Sequence, residues 1–397
     1  MIDLLKGVRV VEMTTIVLGP MAGQILADFG ADVIKVEALD GDLARYVEPR
    51  SPHGDSSMFA NSNRNKRSIA IDLKSDEGAA AMRRLIASAD VFFHNMRLGA
   101  VKRLGLDPNS LRQLNPRLIY CSAIGFGSSG PYADRPAYDD VIQAASGLAW
   151  LPTYAGAEPA YVPGVMADKV AALYAAQAIS AALFGREKNG AGMEIEVPMF
   201  EVMASFVMTE HLAAATFSED GRPGYGRLLN KHRKPFRSSD GWIAVLPYTG
   251  AHWLRTFIEI GREDVTKAHW FANPSERSLR VGDMYAILAE EMTKRTTDEW
   301  VSTFERIDVP HSRVNSLMDL LEDPHLANSD FFRAVDDLPG RARSVPQPVA
   351  FRGAETRPDT PPPSLGEHGA LILEELGFTP PEISALVDQG ILQATRK

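Results

Sequence analysis

Apolar positions recur along this chain with two alternating periods. Residues 8–13 (VRVVEM) form a short β-rich run, 21–29 (MAGQILADF) carry apolar side chains at helical spacing, and 31–37 (ADVIKVE) form a second β-rich run. Strand, helix and strand joined by the Gly19-Pro20 turn predict a βαβ unit. The alternation continues with strands at 67–73 (RSIAIDL), 89–95 (ADVFFHN) and 118–124 (LIYCSAI) and a helix over 77–89. Asp139 or Asp140 would cap an apolar helix through VIQAASGLAWL. After Asp168, apolar residues fall at Val170, Ala171, Leu173, Tyr174, Ala178, Ile179, Ala182 and Leu183, until Asn189 and Gly190 end the pattern. That spacing predicts a long helix with Asp168 at or near its N-terminus. A strand at 192–197 and a Met-rich helix over 199–217, its methionines expected in the core, follow. Strands alternating with helices predict an α/β fold around a doubly wound, mostly parallel sheet.

The pattern changes near Ser218, where a polar and basic stretch reads as a linker. A second region opens at 241–246 (GWIAVL), with helices near 252–260, 284–294 and 297–306, an extended piece at 310–314 and a short helix through Leu320. Seven prolines between 339 and 363 predict an extended return segment, and helices at 366–376 and 381–389 close the chain. The expected domains are 1–224, 225–325 and 326–397, the last packing back on the first.

Length and charge narrow the function. At 397 residues the chain is long enough for about two or three domains. A net charge of -9 leaves no global footprint for nucleic acid or an anionic membrane, so an anionic ligand must meet a local basic patch. Arg45, Arg50, Arg64, Lys66, Arg67 and Lys74, interleaved with Asn61, Asn63 and Asn65, are either a solvated face or a phosphate-contacting stretch. The one cysteine, Cys121, excludes an internal disulfide and a cysteine metal cluster, and its apolar run marks a buried strand residue in preference to a nucleophile. No His or acidic cluster has metal spacing. Neither a signal peptide nor an 18-residue apolar span is present, so a cytoplasmic protein is expected.

Asp168 is the residue type with the most chemistry in the least polar setting. It is either a helix cap or a carboxylate nucleophile placed by the Pro163-Gly164 turn behind Val165, Met166 and Ala167. Glu37 ends its strand where a ribose-binding acid often stands, but the first crossover lacks the Gly-x-Gly-x-x-Gly loop. That pattern occurs instead at 125–130, followed by Pro131 and no helix, which leaves a ligand-approaching loop and a surface turn equally open.

Taken together, GPMAGQILADFGADVIKVE, NRNKRSIAIDLKSDEG, ADVFFHN with GAVKRLG, LNPRLIYCSAIGFGSSGP, PGVMADK, GMEIEVPMFE and PPPSLGEHGALILEELG resemble the class III CoA transferases nearly end to end. Formyl-CoA and carnitine CoA transferases belong to this family, and α-methylacyl-CoA racemase is related. The resemblance implies an interlocked homodimer with a large Rossmann-like domain and a smaller α+β domain. It implies that Asp168 attacks an acyl-CoA thioester, passing through aspartyl anhydride and aspartyl-CoA intermediates, with its helix N-terminus keeping it ionised and Asp139 in a supporting role. It places CoA, a substrate and not a resident cofactor, against Val17, Leu18, Ile71, Lys74, Asn95, Met96, Arg103 and Met199, and a small carboxylic acid as the acceptor. Ala38 stands where some members carry an Arg, for which Arg45 or Arg97 would compensate. A loop over the site in relatives matches 247–250. The racemase alternative requires a His where this chain has Tyr138, and a phenol is a poor general base near neutrality. A non-catalytic CoA-binding protein, with Asp168 only a cap, is the third reading.

Overall fold

The computed structural model describes residues 1–51, 56–332 and 343–393. The β-rich runs become β1 (Arg9–Met13), β2 (Asp32–Glu37), β3 (Lys66–Ala70), β4 (Val91–His94), β5 (Ile119–Ile124) and β6 (Glu194–Pro198). They form one parallel sheet in the order β3-β2-β1-β4-β5-β6. Val10, Val11, Ile34, Phe92, Phe93, Ile119 and Cys121 lose all contact with solvent, as expected where helices cover both faces of a parallel sheet. Burial also pushes the Cys121 thiol pKa up, which leaves it unreactive.

The helix Met166–Asn189 packs on the helix Leu18–Asp28 and on β5 and β6, and the C-terminal helix Gly369–Glu375 packs on β3. Strand order reverses between β1 and β4. Chain leaving their carboxyl ends diverges there, opening the crevice in which α/β sheets bind ligands.

The apolar run after Asp140 departs from the expected single helix. It is helical only over Asp139–Ala145; Gly147 then takes φ 86°, and a 3₁₀ segment Leu148–Ala155 follows. Gly147 adopts this left-handed conformation without a Cβ penalty, and Pro152, lacking an N–H, cannot continue an α-helix.

Two compact units emerge. The first comprises 1–146, 161–206 and 330–397; the second comprises 147–160 and 207–329. Against the expected ranges, 147–160, 207–224 and 326–329 belong to the second unit. Its antiparallel sheet, β7 (Phe236–Arg237), β8 (Trp242–Val245) and β9 (His311–Arg313), shares a core with Trp253, Phe257, Tyr285, Leu288, Trp300 and Phe304. The expected loop at 247–250 is non-helical over 247–249 and leads into the helix Gly250–Glu259, with the Thr249 side chain accepting from the His252 N–H. Of the proline-rich return, 339–342 lie outside the described residues; 343–363 contain no helix.

Candidate active site

The crevice begins at Thr14-Thr15-Ile16, the turn that carries the chain out of β1. Ile16 has φ 70°, a left-handed conformation costly for a β-branched side chain. Its neighbours hold it there. Asp42 Oδ1 accepts the Ile16 N–H at 3.0 Å, and Lys35 Nζ donates to the Thr14 carbonyl at 2.8 Å. Asn95, just past β4, accepts the Thr15 N–H at 3.0 Å and donates to the Thr15 carbonyl at 2.9 Å.

Beneath this turn lies a buried ion network. Lys35 Nζ sits 2.9 Å from Asp42 and 3.5 Å from Glu12, and Lys66 Nζ sits 2.8 Å from Glu12 on its other side. Burial opposes the Lys35 charge, but Glu12, Asp42 and Glu37 outweigh it and hold its pKa above the ordinary value. Lys66, opposed by burial and less fully compensated by Glu12, falls to about 8.

The network changes the reading of the basic stretch. Lys66 is internal, Arg64 Nε bonds Asp28 at 3.0 Å, and Arg67 closes on Asp32 and Glu375. These cations neutralise the protein's own carboxylates and do not form a phosphate-contacting face. Glu37 is likewise committed, gripped by Arg45 at 2.7 Å and by Ser68 Oγ at 2.7 Å, so neither a ribose-binding Glu37 nor a compensating Arg45 agrees with the geometry. The glycine loop after β5 is also occupied: Gly127 and Ser128 give their N–H groups to Glu201 and Glu196 at 3.0 and 2.9 Å.

Two adjoining cavities open on the crevice. The larger, about 690 Å³, is lined by Met13, Val36, Ala38, Leu39, Ile71, Leu73, Lys74 and Leu104 among others. The smaller, about 210 Å³, is lined by Leu18, Asn95, Arg97, Ile124, Arg135, Tyr138, Asp168 and Met199 among others. Thr15 and Met96 line both. The crevice thus gathers Leu18, Ile71, Lys74, Asn95, Met96, Asp168 and Met199. Val17 is buried just before the helix Leu18–Asp28, and Arg103, exposed at the end of the helix Leu98–Arg103, lies beside Leu104; neither lines either of these two cavities.

Asp168 belongs to the third residue of its helix, not to the cap. Val165 occupies the cap position and offers no side-chain bond. Asp139 supplies the missing acceptor from outside, its Oδ2 taking the Asp168 N–H at 2.9 Å. Gln143 fixes Asp139 in turn, donating to Oδ1 at 2.6 Å while bonding the Val162 N–H and the Gly164 carbonyl. Burial first, then the nearby Asp139 carboxylate, raise the Asp168 pKa from 3.8 to about 7. The helix N-terminus was expected to keep Asp168 ionised, but its favourable field, about 0.3–1 kcal/mol, is outweighed. Asp139 is 6% exposed and is not among the residues lining the small cavity; its contact with Asp168 is the bond to the backbone N–H.

Sequence reasoning missed Thr15, Ile16, Arg135 and Gln143. Gln143 carried a signal, standing four residues after Asp139 on one helix face. Ile16 carried none, because its backbone is set by Asp42, twenty-six positions away.

Residues 5–369 match the model of CoA-transferase family III. A probable fatty acyl-CoA transferase of Mycobacterium tuberculosis is 31% identical over 384 residues, covering 93% of this chain and 97% of that protein. A succinate–glutarate CoA-transferase of Agrobacterium fabrum is 32% identical, covering 94% and 95% respectively. A solved CAIB/BAIF family protein of Brucella suis superposes with a TM-score of 0.80 at 32% identity, covering 95% of this chain and all of that one (100%). With a carboxylate at the crevice of an α/β sheet and a family match over most of its length, this chain belongs to CoA-transferase family III and is an enzyme of that class.

Proposed function

We propose that this enzyme moves CoA from an acyl-CoA donor to a small carboxylic acid, with Asp168 as the nucleophile. The observation that carries the reading is Asp168 itself, a partly buried carboxylate on the wall of the small cavity, its backbone held by Asp139. In its ionised form it adds to the thioester carbonyl and expels the CoA thiolate, leaving a mixed anhydride. The thiolate then attacks the Asp168 carbonyl, releases the donor acid and forms an aspartyl-CoA thioester. The acceptor carboxylate attacks this thioester, giving a second anhydride, and the thiolate takes the new acyl group and frees Asp168. Carboxylate and thiol supply every bond made or broken, so no permanently bound cofactor enters the scheme.

The larger cavity suits the nucleotide end of CoA, with Lys74 at its rim; the thioester reaches Asp168 past Thr15 and Met96. Lys74, Arg97 and Arg103 make no ion pair among the described residues, which suits them to the CoA phosphates, and Arg97 takes the role open at Ala38. The names of relatives cover succinate, glutarate, malate and hydroxy acids, in support of carboxylic acids as a class. Transfer is favoured over racemisation by Tyr138, an exposed phenol on the cavity wall where a racemase needs a base.

The dimer is part of the proposal: Leu173, Tyr174 and Phe184 stand exposed along the helix Met166–Asn189, an apolar stripe that a second copy would cover. A cytoplasmic site fits a chain without disulfides in which no described helix is long and apolar enough to cross a membrane. Turnover with an acyl-CoA followed by hydroxylamine should place a hydroxamate on the peptide containing Asp168. An adduct elsewhere, or none under turnover, rejects Asp168.

A further inference from the structure

The small cavity contains a cation that the chemistry above does not use. In the sheet-bearing unit, Arg9, Arg45, Arg64, Arg67 and Arg186 each close on a carboxylate of the protein. Arg135 makes no ion pair among the described residues, although it lines the same cavity as Asp168. Its guanidinium carbon lies 3.9 Å from the centre of the Tyr132 ring, and that ring meets Phe126 edge-on at 5.6 Å. Stacking on an aromatic face restrains the guanidinium plane and leaves its N–H fork at the edge for a ligand.

The segment carrying Arg135 is anchored at the reacting end of the crevice. Asp139, four residues on, holds the Asp168 N–H. Ala137 packs against Gly125 at the end of β5 so closely that a Cβ on Gly125 would lie 2.3 Å from the Ala137 Cβ. Leu18, Ile124, Ala133, Pro136, Ala137 and Met199 supply the apolar part of this cavity's lining, and Thr15, Asn95 and Tyr138 belong to its polar part. Arg97 lines this cavity too, next to Met96, which also lines the larger one, and it is the cation assigned above to the CoA phosphates.

A carboxylate and the stacked Arg135 guanidinium on the walls of one cavity, with apolar side chains among its other lining residues, complement a short acyl chain bearing a carboxylate at its far end. We propose that Arg135 is the specificity residue for a dicarboxylic acyl group, donating its N–H fork to the second carboxylate while the first is activated at Asp168. The proposal rests on the assignment of Asp168 as nucleophile.

The test compares kcat/KM for a four- or five-carbon dicarboxylic acid and the monocarboxylic acid of equal length, with one acyl-CoA donor, in wild type, Arg135→Gln and Arg135→Lys. Wild type should prefer the diacid by at least about tenfold, and Arg135→Gln should lower the diacid-to-monoacid ratio by about 10- to 100-fold, as expected for a lost charge-assisted contact. Arg135→Lys should recover part of the ratio, since it keeps the charge and loses the fork. A wild-type preference for the monoacid, or a ratio that Arg135→Gln moves less than about threefold, overturns the proposal. The hydroxylamine adduct separates the two assignments. If wild type yields it on Asp168 while the ratio stays fixed, only Arg135 falls; if wild type yields none during turnover, Asp168 falls and Arg135 with it.

Discussion

Replacing Asp168 by Asn removes one charge at nearly constant shape and tests why the carboxylate is perturbed. Its pKa of about 7 in the folded chain stands about three units above the ordinary 3.8. At about 1.36 kcal/mol per unit, ionising it in place costs up to about 4 kcal/mol of stability. Because Asp168 is only partly buried, solvent reduces this, and about 2 kcal/mol is the expected effect. The folded state holds its proton more tightly, so the wild type is relieved of the cost below about pH 4, loses stability as pH rises from about 4 to 7, and carries the full cost above 7. The amide carries no charge and feels none of this. Asp168→Asn should therefore match the wild type in urea unfolding at pH 4 and exceed it by about 2 kcal/mol at pH 9, measured at equal protein concentration. Transfer should fall by several orders of magnitude, since an amide forms no anhydride. The reasoning is refuted by a stability difference that does not change with pH, or by an Asn variant less stable at pH 9, which would mean that the helix N-terminus stabilises the carboxylate more than burial and Asp139 oppose it.

Lys74→Ala should raise the KM for acyl-CoA by a factor equivalent to about 1–3 kcal/mol with kcat little changed, and Arg103→Ala should act in the same direction; unchanged KM in either removes that residue from the CoA site. Incubating a 2-methylacyl-CoA with the enzyme in deuterated water should leave the carbon next to the thioester unlabelled by mass spectrometry, whereas rapid labelling would restore the racemase reading. Lys35→Met leaves Glu12 and Asp42 facing one another without their shared cation, and should cost about 3–5 kcal/mol in urea unfolding. A loss below about 1 kcal/mol would show that the buried network is not what holds the crevice.

The elements of the large sheet were legible because β1, β2, β4 and β5 are buried on both faces and so read as mainly apolar, β-rich runs bounded by turns, interrupted in β1 and β2 by Glu12, Lys35 and Glu37. The helical position of Asp168 was legible as well, through the onset of a helical period. What local sequence determined was therefore the order of elements and the place of Asp168 in the first turn of its helix. Tertiary structure decided which charges are available to a ligand. Arg45, Arg64, Lys66 and Arg67 look like a polyanion site along the chain, yet each meets a carboxylate from another element, Glu37, Asp28, Glu12 or Asp32. Arg135 looks no different in sequence, yet among the described residues it makes no ion pair; it stacks on Tyr132 and lines the same cavity as Asp168. The same holds for Asp168. Its place in the first turn follows from local periodicity, but its proton affinity depends on burial and on Asp139, twenty-nine residues away. Burial and pairing are sums over neighbours in space, and no periodicity along the chain encodes them.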